Sequence, residues 1–316
     1  MSRLLLRRAG DLLFVSFGVS VLSFLMIRLI PGDAVQLMLG ANAEVTQRQI
    51  DVLRHQLGLD QPFLRQYVVW IGRVLHGDFG TSLTTGRPVL SEIAAAAGVT
   101  AELTILGLIT AVLLAVPLGC AMAALRSPAA SLAMRLLSIT GITVPSFWLG
   151  IMLLYGVSEL APGWATVGWR PLTEDPAGNL RRVLLPATSI ALPVVASLAR
   201  FLRATLSDAL HQDYVRTARA KGLRERVVLL RHALRNALIP FVTQIGIMAG
   251  YLFAGSVVVE QVFALPGLGR LMVGAIADRD YALVQAAILL ATLVFVGVNT
   301  AVDLLYAAID PRVRAT

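Results

Sequence analysis

The sequence predicts an all-α protein that lives in a bilayer and crosses it with six helices. Three observations predict this: the composition, six long apolar runs, and a one-sided distribution of arginine. Of 316 residues, 57% are hydrophobic and 15% are charged, and the mean hydropathy is +0.75. A soluble domain is closer to about 45–50% apolar and about 25% charged. This chain has too few polar side chains to cover a water-facing surface, and it is far too apolar to be disordered.

A membrane-spanning helix needs about 20 predominantly apolar residues. Six runs meet that need: 12–30, 103–125, 136–158, 183–199, 236–259 and 281–302. The first carries one charge, Arg28, and the others carry none within those limits. The fourth holds Pro186 and Pro193 and continues past Arg200 and Arg203, whose stems can snorkel to the interface. Pro117 and Pro145 interrupt other runs, which is tolerated where neighbouring helices satisfy the freed carbonyls. Arg3, Arg7 and Arg8 give the first run the basic start of a signal peptide. Its apolar stretch is longer than such a peptide uses, and the nearest A-x-A triplet, Ala41-Asn42-Ala43, lies well past its end, so it reads as an uncleaved anchor.

Short loops rich in Arg and Lys stay in the cytoplasm. With six spans, residues 1–10, 126–135, 200–235 and 310–316 share one side and hold 16 basic against 4 acidic residues. The opposite short loops, 159–182 and 260–280, hold 5 against 6. Both termini are therefore expected in the cytoplasm.

The chain divides at this level into residues 1–30, an N-terminus and first span; 31–99, a small outer domain; and 100–316, a core of five spans. In the outer domain Thr46-x-x-Gln49 has the form of a capping box, and Ile50, Leu53 and Leu57 recur at helical spacing up to Gly58. A second amphipathic helix starts after Pro62, carries Phe63, Tyr67, Trp70, Ile71 and Val74, and ends at Gly77. The pair either caps the bundle or docks an extracytoplasmic partner.

The loop 202–240 is too regular to be a linker. Asp213-Tyr214-Val215-Arg216-Thr217-Ala218-Arg219-Ala220-Lys221-Gly222 reads as a short helix stopped by a C-terminal glycine, with cations in its last turn. Ala218, Ala220 and Gly222 are small enough to let another surface approach the backbone. Beyond Gly222, Arg224, Arg231 and Arg235 share a helical stripe opposite Val228, Leu229, Ala233 and Leu234, as in an interfacial helix. The stretch fits either lipid headgroups or a cytosolic protein. In the fifth run, Gly246-x-x-x-Gly250 and Gly255 offer either tight helix packing or the lining of a path.

Other chemistry is thinly represented. The net charge of +8 and 26 arginines to a single lysine are accounted for by loops facing anionic lipid rather than nucleic acid. The lone Cys120 excludes an internal disulfide. His55, His76, His211 and His232 are scattered, without metal-ligand spacing. There is no His-Glu-x-x-His, no Gly-x-Ser-x-Gly, and no Gly-x-x-x-x-Gly-Lys, since Lys221 stands before Gly222. A nucleotide must be bound elsewhere. An ion-coupled carrier would place ionisable groups mid-membrane, whereas Arg28, Glu102, Glu260 and Asp303 lie near run ends.

At the loop 202–240 the chain resembles the membrane permeases of binding-protein-dependent ABC importers, in particular the B-type subunit of the dipeptide/oligopeptide/nickel branch. The family's cytoplasmic "EAA" loop corresponds to 216–222 followed by His232-Ala-Leu-Arg-Asn-Ala-Leu-Ile-Pro240. Arg216 stands where the generic motif has glutamate and Thr217 where it has alanine. Further fragments match in order: Arg28–Asp33, Leu57–Pro62, Gly77–Ser82, Pro145–Gly150, Glu260-x-x-Phe263, Pro266–Gly269, Arg279–Tyr281, Val302–Tyr306 and Asp310–Arg312.

The resemblance implies a type I importer permease in a bacterial inner membrane, with a small helical periplasmic domain after the first span. Its partners would be a second, homologous C-type permease, two cytosolic ATP-binding subunits that hold ATP and Mg²⁺, and a periplasmic or lipid-anchored binding protein. The chain itself would hold no cofactor and no metal, and would not be catalytic. Its cargo would be a dipeptide, a longer peptide, a nickel chelate or another small solute. Asp213, Tyr214, Arg216, Thr217, Ala218, Arg219, Ala220, Lys221 and Gly222 would form the coupling helix, with Thr217, Ala218 and Gly222 at the closest contacts.

Overall fold

The computed structural model describes residues 2–29, 60–125, 127–161, 163–164 and 167–309. The capping box at Thr46 with its helix, His55, and the matches within 30–59 and 310–312 lie outside the described residues. Regular structure among the described residues is helical, apart from one isolated bridge between Thr81 and Pro88. The chain forms two compact units, residues 1–98 with 267–297 and residues 99–266 with 298–316.

In the first unit α1, Ser2–Leu29, meets α2, Phe63–Leu75. Phe24 is buried against three rings of α2, with centroids 5.3 Å from Phe63, 5.3 Å from Tyr67 and 5.7 Å from Trp70. The edge-on geometry with Phe63 and Tyr67 brings positive ring edges to negative faces. Ser20 and the Tyr67 hydroxyl complete the contact at 2.8 Å. As the sequence suggests, Pro62 caps α2 and Gly77 turns the chain away with φ +81°. The same unit holds α9, Leu268–Ala277, and the start of α10, Tyr281–Ile309.

The second unit is a packed helical core. It includes α3, Val89–Ala124, from residue 99 on, a helix that begins well ahead of the apolar run that announced it. α6, Pro176–Leu210, is the central element: Leu198, Leu202 and Leu206 are fully buried together with Leu103 and Ala111 of α3. Small residues set the spacing. A Cβ on Gly119 would meet the Ala199 carbonyl and the Leu202 Cβ at 3.0 Å each, so α3 and α6 touch at near-backbone distance.

The third apolar run does not form one straight span. It forms α4, Pro128–Thr143, and α5, Ser146–Leu160, and the segments Leu132–Thr143 and Ser146–Leu160 meet at 99°. Pro145 sits at the break with ψ 137°. It offers no N–H to the ladder and disfavours the helical conformation at Val144 before it.

The basic stretch after Gly222 is likewise not a separate interfacial helix. It is the first part of one helix, α8, Glu225–Val262, entered through a π-helical segment, Val228–Ala233. The i→i+5 winding of that segment brings Val228 and Ala233 to the same side, where both are fully buried.

Four described helices are long and apolar enough to cross a membrane: Val89–Ala124, Pro176–Leu210, Glu225–Val262 and Tyr281–Val302. The bent pair makes a fifth if it is one span, and Gly10–Met26 of α1 is a shorter apolar helix.

Candidate functional site

The short helix α7, Asp213–Ala220, stands between the end of α6 and the start of α8. Its stop is a Schellman motif: the Gly222 N–H donates to Arg219 O at 2.9 Å and the Leu223 N–H to Ala218 O at 3.4 Å. Gly222 holds φ +78°, a left-handed conformation that costs other residues about 1 kcal/mol or more.

Two faces of α7 do different work. Val215 and Ala218 turn inward and form a small core with Val228 of α8, backed by Leu210 of α6. Ala218 is 4% exposed. Its small size therefore serves the seating of α7 on its own chain, while Thr217 and Gly222 stay exposed. Asp213, Arg216, Thr217, Ala220 and Lys221 share the outward face, as an i, i+3, i+4, i+7, i+8 spacing requires. Tyr214 flanks this face and is exposed.

Arg219 makes the projection stiff. Its Nε and Nη2 donate to the two carboxylate oxygens of Glu225 at 2.8 and 3.3 Å, and its Nη1 donates to Leu210 O at 3.4 Å. One guanidinium thus ties α7 to the ends of both long helices. No local pattern points to this clamp, because the glycine turn makes Arg219 and Glu225 neighbours at a spacing no helix rule covers.

The glycines of α8 separate into different roles. A Cβ on Gly246 would overlap the Val302 side chain of α10, so Gly246 is a packing contact. Gly250 is buried, and a Cβ on Gly255 would meet open space.

Two buried carboxylates, Glu260 and Asp280, lie within the motif fragments and bond to residues remote along the chain. Glu260, at the far end of α8, accepts the Thr100 hydroxyl at 2.7 Å. Asp280 binds Ser82, joining the fragments Gly77–Ser82 and Arg279–Tyr281. The loop before α6 is also anchored: Trp169 donates its Nε1–H to Glu102 at 3.2 Å, and the Gly168 N–H donates to Phe263 O at 3.0 Å. An apolar cavity of about 300 Å³ lies in the elbow of α4 and α5, lined by Met134, Gly141, Val144, Leu149 and Val195 among others.

Among the described residues, helices apolar and long enough to cross a membrane, with a short polar helix between two of them, fit the membrane subunit of a transporter. Comparison with known proteins fixes the class. Residues 115–315 match the family described as binding-protein-dependent transport system inner membrane component, and residues 1–104 match its N-terminal membrane component. The chain belongs to this family, as a permease subunit of the ABC importer type. It is 42% identical to the glutathione transport system permease protein GsiC of Salmonella choleraesuis (strain SC-B67) over 314 residues, 99% of each chain. It is 41% identical over the same length and share to the protein of that name from Escherichia coli (strain K12).

Proposed function

We propose that this chain forms one half of an inner-membrane pathway for small peptides of the size of glutathione or a dipeptide, with α7 as its coupling helix. The observation that carries the cargo is the 42% identity spread over 99% of both chains with a glutathione permease. A relation of that extent includes the spans as well as the loops.

In this reading the chain crosses the membrane six times with both termini in the cytoplasm, and residues 31–99 form a periplasmic domain. A homologous C-type permease supplies the other half of the path. A periplasmic or lipid-anchored binding protein delivers the peptide. Two cytosolic subunits bind ATP and Mg²⁺ and move α7. The support for the last step is mechanical. α7 is tied by Arg219 to Leu210 and Glu225, so a push on it reaches α6 and α8 as rigid bodies.

Uptake by the complete complex in proteoliposomes tests this. Glutathione or a dipeptide should accumulate only with ATP, both ATPase subunits and the binding protein. Accumulation by this chain alone on an ion gradient would overturn it. Accumulation of a nickel chelate and no peptide would move the cargo to the other member of the branch.

A further inference from the structure

The outward face of α7 carries the clearest unassigned chemistry. Arg216 and Lys221 are exposed there, with Thr217 and Ala220 between them. The neighbouring turn adds exposed Arg224 and Arg226. The one acid on the face, Asp213, approaches Arg216 only at 3.5 Å, with both side chains largely in solvent, and such a pair neutralises little. Arg219 is already committed to Glu225. The face is therefore a cationic platform with a low centre.

Two kinds of partner attract cations at this place, a protein carboxylate and an anionic lipid headgroup. A helix that lies in a membrane interface buries an apolar face in the acyl boundary. The apolar face of α7 is already used, since Val215 is fully buried and Ala218 nearly so against the chain's own Val228 and Leu210. Of the large apolar side chains of α7 only Tyr214 stays exposed, too little to bury a helix face in the acyl boundary. The low centre at Thr217 and Ala220 suits instead the close approach of a folded surface.

We infer that the surface receiving α7 is acidic, and that Arg216 and Lys221 each meet a carboxylate of the ATP-binding subunit. This rests on the coupling role proposed above and adds the chemistry of the partner. Charge pairs at the rim of an interface set the rate of encounter, its salt dependence and its register. Arg216 and Lys221 then decide whether the ATPase docks in register, while Thr217 and Ala220 decide how closely.

The test uses the complete importer in lipid nanodiscs, with binding of the ATPase subunits followed as ionic strength rises. Arg216→Glu and Lys221→Glu should each weaken ATPase binding by about tenfold or more at about 0.1 M salt. The deficit should shrink toward about 1 M, where the screening length falls from about 10 Å to about 3 Å. Arg216→Lys should retain most of the binding. Arg231→Glu and Arg235→Glu, outside this face, should leave it unchanged. Binding by Arg216→Glu and Lys221→Glu equal to the parent at every salt would overturn the inference while leaving the coupling role intact. Loss of affinity for vesicles rich in anionic lipid, with ATPase binding preserved, would assign the face to lipid and also overturn it. Failure of the parent complex to bind ATPase at α7 would remove the coupling role itself.

Discussion

Ser82 donates its hydroxyl to Oδ2 of Asp280 across 2.5 Å, joining two segments 198 positions apart. The same oxygen accepts the Leu83 N–H at 2.9 Å, and Oδ1 accepts the Leu283 N–H at 3.1 Å. One buried carboxylate therefore caps α10 and fixes the tight loop after Gly80. It satisfies donors that would otherwise be left dry, which is the condition under which a buried charge is tolerated.

Asp280→Ala should destabilise the first unit by roughly 3 kcal/mol, because the Leu283 and Leu83 donors lose a charged acceptor together. Asp280→Asn, which keeps an acceptor oxygen, should cost less. Thermal unfolding in detergent and protease cutting at residues 80–88 measure both. An Asp280→Ala protein as stable as the parent would refute the role.

Gly246→Leu should prevent α8 and α10 from closing at Val302, with an overpacking cost of about 1–3 kcal/mol and a loss of folded yield. Val302→Ala in the same chain should recover part of it. Gly255→Ala should leave the fold unchanged, since the site is open. If Gly255→Ala nevertheless stops uptake, Gly255 faces a partner or the path. Yield on size exclusion and uptake in vesicles separate these outcomes.

Thr217→Glu and Ala218→Glu should fail differently although they are adjacent. Thr217→Glu leaves α7 folded and blocks docking, so ATP hydrolysis continues while uptake falls. Ala218→Glu forces a carboxylate among Val215, Val228 and Leu210 and releases α7 from the chain, exposing 213–223 to protease. Gly222→Val should behave like a weaker Ala218→Glu, and Gly222→Asn should lie closer to the parent, because asparagine tolerates positive φ. Equal protease resistance in Thr217→Glu and Ala218→Glu would show that Ala218 does not seat the helix.

Asp175 caps α6 by accepting the Gly178 N–H at 2.8 Å. That bond, and then the Arg170 guanidinium, hold its carboxyl below the ordinary value of 3.8 against an opposing desolvation. A depressed folded-state pKa gives stabilisation that is complete above the unfolded value and is lost as the pH falls through the folded one. Protection of the Gly178 amide from hydrogen exchange should therefore persist at pH 3.8 and fade below it. Asp175→Asn should make that protection independent of pH in this range. A parent that loses protection well above pH 3.8 would contradict the assignment.

Much of the molecule is legible from its residues. The apolar runs announce their helices because a bilayer leaves the backbone no other way to satisfy its polar groups, and α7 is announced by Gly222, whose left-handed turn ends it where the pattern stops. The third run is read correctly as apolar, but its bend is not foreseen: the two segments meet at 99°. Hydropathy carries no direction, and the break at Pro145 depends on whether neighbouring helices hold the chain straight through it. The stripe of Arg224, Arg231 and Arg235 suggests a free interfacial helix for the same reason: the pattern shows a face, not what continues from it.

Composition, run length and the Asp213–Gly222 pattern by themselves determined a helical membrane protein with a short helix in the loop between its fourth and fifth runs, because those properties follow from how each segment meets lipid or water. Which face of α7 looks outward, that Arg219 closes on Glu225, that Gly246 touches Val302 while Gly255 touches nothing, and that Asp280 serves Ser82 were decided only by the tertiary structure. Each is a distance between segments remote along the chain or separated by a turn, and such distances are set by packing, which no local pattern encodes.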